Sequence, residues 1–299
     1  MNWQQLYTGA KNHHIKSIAR CISIIENETE GANEILEAIP MVASSKIVGI
    51  TGPPGAGKST LTDGLIREFV QLGKKVAVLC VDPSSPFHFG ALLGDRIRMS
   101  DWYTHPNVYI RSFASRGSLG GLHPRLIEIT DFLCRLDFDL VIVETVGVGQ
   151  SEVEIAGLAD CTVVVLVPEA GDEVQTMKAG LMEIADVFVI NKADRPEADQ
   201  FAYHLHLLVH DTNVQTPVIK TIASKQTGIK ELSDAIVSKL DENSKNDRKY
   251  WLLAERAYQL IRDKKMKNIS KEKIKLEIIR LMNENRFNLY KFASDYEKI

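Results

Sequence analysis

The sequence predicts an α/β fold, a mostly parallel central sheet flanked by helices, with helical extensions at both ends. Three observations predict it. Seven short apolar, β-rich runs, at 46–51, 75–81, 108–113, 140–145, 161–168, 186–191 and 216–222, alternate with stretches of helical periodicity. Directly after the first run stands Gly52-Pro53-Pro54-Gly55-Ala56-Gly57-Lys58-Ser59-Thr60, a G-x-x-x-x-G-K-S phosphate-binding loop, and Leu61 to Val70 then carry apolar residues at helical spacing. Directly after the sixth run stands Asn191-Lys192-Ala193-Asp194. Both motifs fall at the ends of strands, where open α/β sheets bind ligands.

Each part of the chain follows from its own pattern. Residues 1–45 form an N-terminal helical extension, because Ile15, Ile18, Ala19 and Ile22 recur at i, i+3, i+4 and i+7. Residues 46–240 hold the strand–helix alternation and form the P-loop NTPase domain. Residues 241–299 change character. The polar stretch Asp241 to Asp247 reads as a linker. Trp251, Ala254, Tyr258 and Ile261 then share a helical face, Ser270 is placed as an N-cap, and Ile274, Ile278 and Leu281 share a second face. These two apolar faces predict a C-terminal arm that dimerises.

The loop from Gly52 to Thr60 wraps phosphate oxygens with backbone N–H groups, and the helix that follows adds positive potential. Pro53 and Pro54 have no N–H, so the cradle falls to residues 55–60, that is Gly55, Ala56, Gly57, Lys58, Ser59 and Thr60. Lys58 neutralises the β- and γ-phosphates and the Ser59 hydroxyl holds Mg²⁺. Asn191, Lys192 and Asp194 choose the base. A carboxylate at Asp194 accepts hydrogen bonds from guanine N1–H and the 2-amino group, and adenine offers neither donor there. Asn191 supports the loop and faces the purine edge, while the Lys192 stem lies along the base. A third segment, Thr221 to Lys225, places the amides of Ala223, Ser224 and Lys225 near guanine O6. The expected ligands are therefore GTP and GDP with Mg²⁺.

Composition narrows the class. The chain has 299 residues, a formal net charge of −3 and 25% charged residues, so no nucleic-acid or anionic-membrane surface is indicated. Cys21, Cys80, Cys134 and Cys161 are scattered without a C-x-x-C, which points to core residues rather than a zinc site or disulfide framework. The start of the chain lacks an apolar signal region, and the longest strongly apolar run, 161–167, is too short to span a bilayer. A cytoplasmic enzyme without a membrane partner is expected.

Three acids stand where a metal would need them. Asp82 ends the second strand run, Asp95 lies in Leu92-Leu93-Gly94-Asp95-Arg96, and Glu144 ends the fourth run. Mg²⁺ takes oxygen ligands, usually one or two carboxylates with phosphates and waters. Gly147 is placed to offer its amide to the γ-phosphate. For hydrolysis, Lys58 and Glu144 are the first candidates, Gln150 is a candidate to orient water, and Arg96, Arg98, Arg111 and Arg116 are possible sources of added positive charge or equally partners of structural carboxylates.

With these residues in place the chain resembles the GTPases associated with methylmalonyl-CoA mutase, the MeaB/ArgK type within the SIMIBI class of P-loop proteins. The resemblance runs from about residue 10 to 262 and rests on the P-loop, Val81 to Pro86, Gly94 to Met99, Arg111-Ser112, Arg116 to Gly121, Glu144 to Glu152, Gly171 to Gln175 and Asn191 to Asp194. It implies that Asp82, Asp95 and Glu144 contribute to the Mg²⁺ environment and that Val167 to Lys178 is a mobile switch. It implies a homodimer embracing through C-terminal helices. It also implies a chaperone role toward an adenosylcobalamin-dependent acyl-CoA mutase, in cofactor loading, protection or rescue. Two segments depart from the family: Phe87-His88-Phe89-Gly90, and Pro168-Glu169-Ala170-Gly171 in place of Pro-Gly-x-Gly.

Three other readings share the nucleotide site. A metal-delivering GTPase needs Cys or His-rich ligands near the switch, and the only His groupings are His13-His14 and His204, His206, His210. A kinase associated with amino-acid transport needs a phosphoacceptor site. A scaffold that uses GTP only as a conformational ligand differs in showing no multiple-turnover phosphate release.

Overall fold

Seven parallel strands make one sheet in the order β3-β2-β4-β1-β5-β6-β7. They are β1 (Lys46–Thr51), β2 (Val76–Asp82), β3 (Val108–Ala114), β4 (Leu140–Glu144), β5 (Cys161–Leu166), β6 (Val187–Ile190) and β7 (Val218–Lys220). Each lies within a residue or two of an apolar run. Parallel strands covered on both faces read as continuous apolar stretches, which is why they are visible in the sequence. The computed structural model describes residues 2–296 apart from 83–98, 115–122, 124, 146–150, 171–179, 211–215, 243–246, 267–268 and 285.

Helices cover both faces. On one lie α4 (Lys58–Gln71) and α9 (Ile229–Glu242). There Leu61, Leu65, Ile66, Phe69, Ile229, Leu232 and Ile236 pack on Val48, Ile50, Val78, Ile142, Val163 and Val189. Burying each large side chain contributes roughly 1.5–3 kcal/mol, so this layer fixes α4 firmly. On the other face, α6 (Ser151–Leu158), α7 (Gly180–Ile184) and α8 (Ala198–His210) contribute Ala156, Ile184, Ala202, Leu205 and Val209 around Val164, Leu166, Phe188 and Ile190. A further helix among the described residues is α5 (Leu126–Leu133). All four cysteines are buried; burial pushes the Cys21 thiol up to about 11 and raises Cys161 further.

Three helices precede β1: α1 (Trp3–Lys11), α2 (Ile15–Glu26) and α3 (Ala32–Ala38). Ile18 and Ile22 on α2 are fully buried, while Ile15 at its first turn is exposed. An ion pair ties this layer to the edge strand β3. Arg111 reaches Glu26, Ser23 Oγ at 3.2 Å and Ala19 O at 3.3 Å, all on α2. Of the two roles open to Arg111 in the sequence, this is the structural one. It sits on the sheet edge facing the N-terminal helices, and its charge is spent on Glu26.

The chain divides into two compact units, Met1–Lys249 and Tyr250–Ile299. A long helix, α10 (Asp247–Met266), crosses that boundary, and α11 (Lys271–Asn283) and α12 (Leu289–Asp295) follow. Ser270 caps α11, its side chain accepting from Lys273 N–H. None of the described residues of Tyr250–Ile299 is buried, and Trp251 and Tyr290 are 78% and 83% exposed. Among the described residues, no helix is long and apolar enough to cross a membrane.

Candidate functional site

The loop between β1 and α4 is shaped by its neighbours. Gly52 has φ +136°, and a Cβ there would lie 2.0 Å from Val165 O of β5. Gly57 has φ +87°, and a Cβ would lie 2.4 Å from Asn191 Nδ2. Neither position tolerates a side chain, for reasons of both conformation and space. Lys58 is buried and folds back over the loop, donating to Gly52 O at 2.8 Å and Pro53 O at 3.0 Å. These two carbonyls hold its ammonium within the loop. Ala56 N–H closes a turn on Pro53 O at 3.3 Å. Gly57 precedes the helix start, and Lys58, Ser59 and Thr60 form its first turn, where N–H groups project out of the helix end.

Glu144 ends β4 beside this loop. The parallel register pairs Glu144 with Ile50 on β1 and with Cys80 on β2. Both carboxylate oxygens are held by hydroxyls of α4: Ser59 Oγ donates to Oε1 at 2.7 Å and Thr62 Oγ1 to Oε2 at 2.9 Å. Thr145, the next residue, donates its hydroxyl to Thr51 Oγ1 at 2.9 Å and its N–H to Ile50 O at 3.0 Å, locking the ends of β1 and β4 together. A buried carboxylate and a hydroxyl at the mouth of a phosphate loop form an all-oxygen donor pair. Such donors fit a hard cation such as Mg²⁺, with Ser59 and Glu144 the residues that would hold it. Among the described residues, no cluster of three or more His, Cys, Asp or Glu is assembled for a metal.

The base-selecting loop follows β6. Asn191 is 2% exposed, and both the nitrogen and the oxygen of its amide are engaged. Nδ2 donates to Ala56 O at 2.8 Å, and Oδ1 accepts from Thr221 Oγ1 and Ala223 N, both at 3.1 Å. One side chain thus ties the phosphate loop to the segment Ala223–Lys225. Lys192 takes a left-handed φ of +57°, which costs a non-glycine residue about 1 kcal/mol or more. That conformation lets Lys192 Nζ donate to Gly55 O at 2.7 Å. Asp194 pairs with Lys225 at 3.1 Å, and this hydrogen bond holds its carboxyl below the usual aspartate range. Arg195 pairs with Glu169 in the turn after β5, and that bond, after Glu169's own backbone N–H, lowers the Glu169 pKa.

The predicted residues divide accordingly. Gly52 to Thr60, Glu144, Asn191, Lys192, Asp194 and Ala223 to Lys225 are brought together at the carboxyl ends of β1, β4 and β6 and just beyond β7. Asp82 closes β2, its backbone registered with Ala114. Asp95, Gly147, Gln150, Arg96, Arg98, Arg116 and the segments 87–90 and 171–178 lie outside the described residues. Thr62 was missed by the motif reading. Its signal was its spacing, three residues after Ser59 on the same helix face. Thr51 and Thr145 carried no sequence signal, since only strand register brings them into contact.

A family model described as methylmalonyl-CoA mutase-associated GTPase MeaB matches residues 18–276. The chain belongs to this family. Curated relatives agree. A candidate GTPase of Pyrococcus abyssi is 51% identical over 229 residues, covering 74% of this chain and 71% of that protein. GTPase ArgK of Escherichia coli is 36% identical over 234 residues, 74% and 71% of the two chains. The mitochondrial methylmalonic aciduria type A homolog of mouse is 34% identical over 256 residues, 78% of this chain and 61% of that one. Among solved structures, an LAO/AO transport system kinase aligns over 100% of this chain and 98% of its own, with TM-score 0.69 and 24% identity, a likeness of fold. This MeaB-family chain is a P-loop GTPase, and the family implies guanine-nucleotide binding.

Proposed function

We propose that this protein is a Mg²⁺-dependent, GTP-hydrolysing chaperone for an adenosylcobalamin-dependent acyl-CoA mutase of the methylmalonyl-CoA mutase type, acting in cofactor loading, protection or reactivation. The observation that carries the reading is family membership over residues 18–276, in a family described as mutase-associated. The site supports the enzymatic half. Lys58, held in its loop by Gly52 O and Pro53 O, meets the β- and γ-phosphates. First-turn N–H groups of α4 face the phosphate oxygens. Ser59 and Glu144, with Asp82 and Asp95, hold the metal, which when bound neutralises phosphate charge. Asp194 selects guanine, the amides of Ala223 to Lys225 meet O6, Gly147 meets the γ-phosphate, and Gln150 orients water. The protein works in the cytoplasm as a homodimer joined through its C-terminal helices, without nucleic-acid or membrane partners.

The test uses the purified full chain with its cognate mutase. GTP turnover is expected to rise about tenfold on adding the mutase, equivalent to about 1.4 kcal/mol of transition-state stabilisation. The mutase is also expected to bind the GTP and GDP forms with different affinity, because coupling is mutual. A mutase that neither binds nor alters turnover would sink the chaperone reading and leave a GTPase with another client.

A further inference from the structure

We propose that Thr62 is a positioning residue for the GTPase site, acting through Glu144 to set the affinity for Mg²⁺–nucleotide. The inference rests on the assignment of Ser59 and Glu144 to the metal. Thr62 is fully buried, one turn along α4 from Ser59. Its hydroxyl has one proton and two acceptors within reach, Lys58 O at 3.0 Å and Glu144 Oε2 at 2.9 Å. A threonine inside a helix ordinarily returns its proton to the carbonyl four residues back. Here a carboxylate competes, and charge-assisted bonds are the stronger class.

The consequence is geometric. Glu144 is 4% exposed, and its carboxylate is straddled by two hydroxyls three residues apart on one helix face. Removing the Thr62 hydroxyl takes away the tie at Oε2. Held at both oxygens, the carboxylate has its plane fixed relative to the first turn of α4, and Oε1 stays on the Ser59 hydroxyl at 2.7 Å. Thr62 acts through that carboxylate rather than on phosphate or metal directly.

The experiment compares wild type, Thr62→Val, Thr62→Ser and Glu144→Gln by fluorescent-GDP binding as Mg²⁺ is titrated, alongside GTP turnover. Thr62→Val, nearly isosteric, is expected to raise the Mg²⁺ concentration at half-effect about tenfold, the size of a lost hydrogen bond to a charged group. GDP affinity measured in chelator is expected to stay unchanged, and kcat at limiting Mg²⁺ to fall without a change in KM for GTP. Thr62→Ser keeps the hydroxyl and is expected to restore the Mg²⁺ midpoint. If Thr62→Val does not fold, Thr62→Ala removes the hydroxyl without added bulk and is read in the same way. A Mg²⁺ midpoint in the hydroxyl-free variants equal to wild type overturns the proposal, as does a serine variant as defective as the valine. The two readings separate at Glu144→Gln. If Glu144→Gln is impaired and Thr62→Val is not, only the role of Thr62 falls; if Glu144→Gln matches wild type, the metal assignment itself fails.

Discussion

Asn191→Ala tests how the nucleotide site is built. The sequence motif assigns this residue to the base-selecting loop, yet its amide serves as a three-way joint: Nδ2 to Ala56 O, and Oδ1 to Thr221 Oγ1 and Ala223 N. All three partners are buried, at 0%, 0% and 2% exposure. Truncation leaves two donors and one acceptor short of a partner. A buried polar group left unsatisfied costs about 1–3 kcal/mol, less where water enters the vacated space, so three groups at the lower end give about 3–5 kcal/mol. Domains of this kind are stable by about 5–15 kcal/mol, so the loss is large. The assay is urea unfolding of the nucleotide-free protein, read as a lower midpoint at constant slope, with GDP affinity measured by calorimetry. Asn191→Asp provides the companion. It keeps the acceptor for Thr221 and Ala223 but sets a carboxylate oxygen against Ala56 O, so it is also expected to destabilise. An Asn191→Ala protein with the wild-type midpoint would refute the joint and return the residue to a role at the base alone.

Further outcomes follow from the same geometry. Gly57→Ala is expected to lose at least about tenfold in GDP affinity by calorimetry, because φ +87° and a 2.4 Å approach to Asn191 Nδ2 force either the loop or the joint to move. Asp194→Asn is expected to shift preference from guanine toward xanthine nucleotides, since the amide donates where the carboxylate only accepts; equal GTP and ATP affinity in wild type would remove its basis. Lys225 depresses the Asp194 pKa, so guanine recognition by the ionised carboxylate is present above that pKa and lost as pH falls through it. Lys225→Ala raises the pKa, and the acidic loss of GDP binding is expected to begin at higher pH, with the difference shrinking in high salt. Deleting Tyr250–Ile299, whose described residues include no buried side chain, is expected to give a monomer by light scattering with GTP binding retained. A full-length protein that is monomeric at micromolar concentration would contradict this.

The division of labour between sequence and structure follows physical range. Local and periodic signals were legible. Seven strands could be read because a parallel sheet covered on both faces needs continuous apolar runs. The phosphate loop, the guanine loop and the Ser270 cap could be read because backbone conformation and hydrogen bonding over a few residues demand particular residue types. What needed the tertiary structure was everything set by register and by contacts distant in sequence. Gly52 must be glycine because of Val165 on a neighbouring strand, and Gly57 because of Asn191. Arg111 is a free-standing cation in the sequence, and only the edge position of β3 against α2 pairs it with Glu26. The pairing of Ser59 and Thr62 with Glu144 arises only when β4 lies beside β1 and aligns Glu144 with Ile50. The sequence by itself determined which chemical groups the site contains, because those are fixed residue by residue. The fold alone decided which groups share a proton, because a hydrogen bond depends on ångström distances that no spacing along the chain specifies.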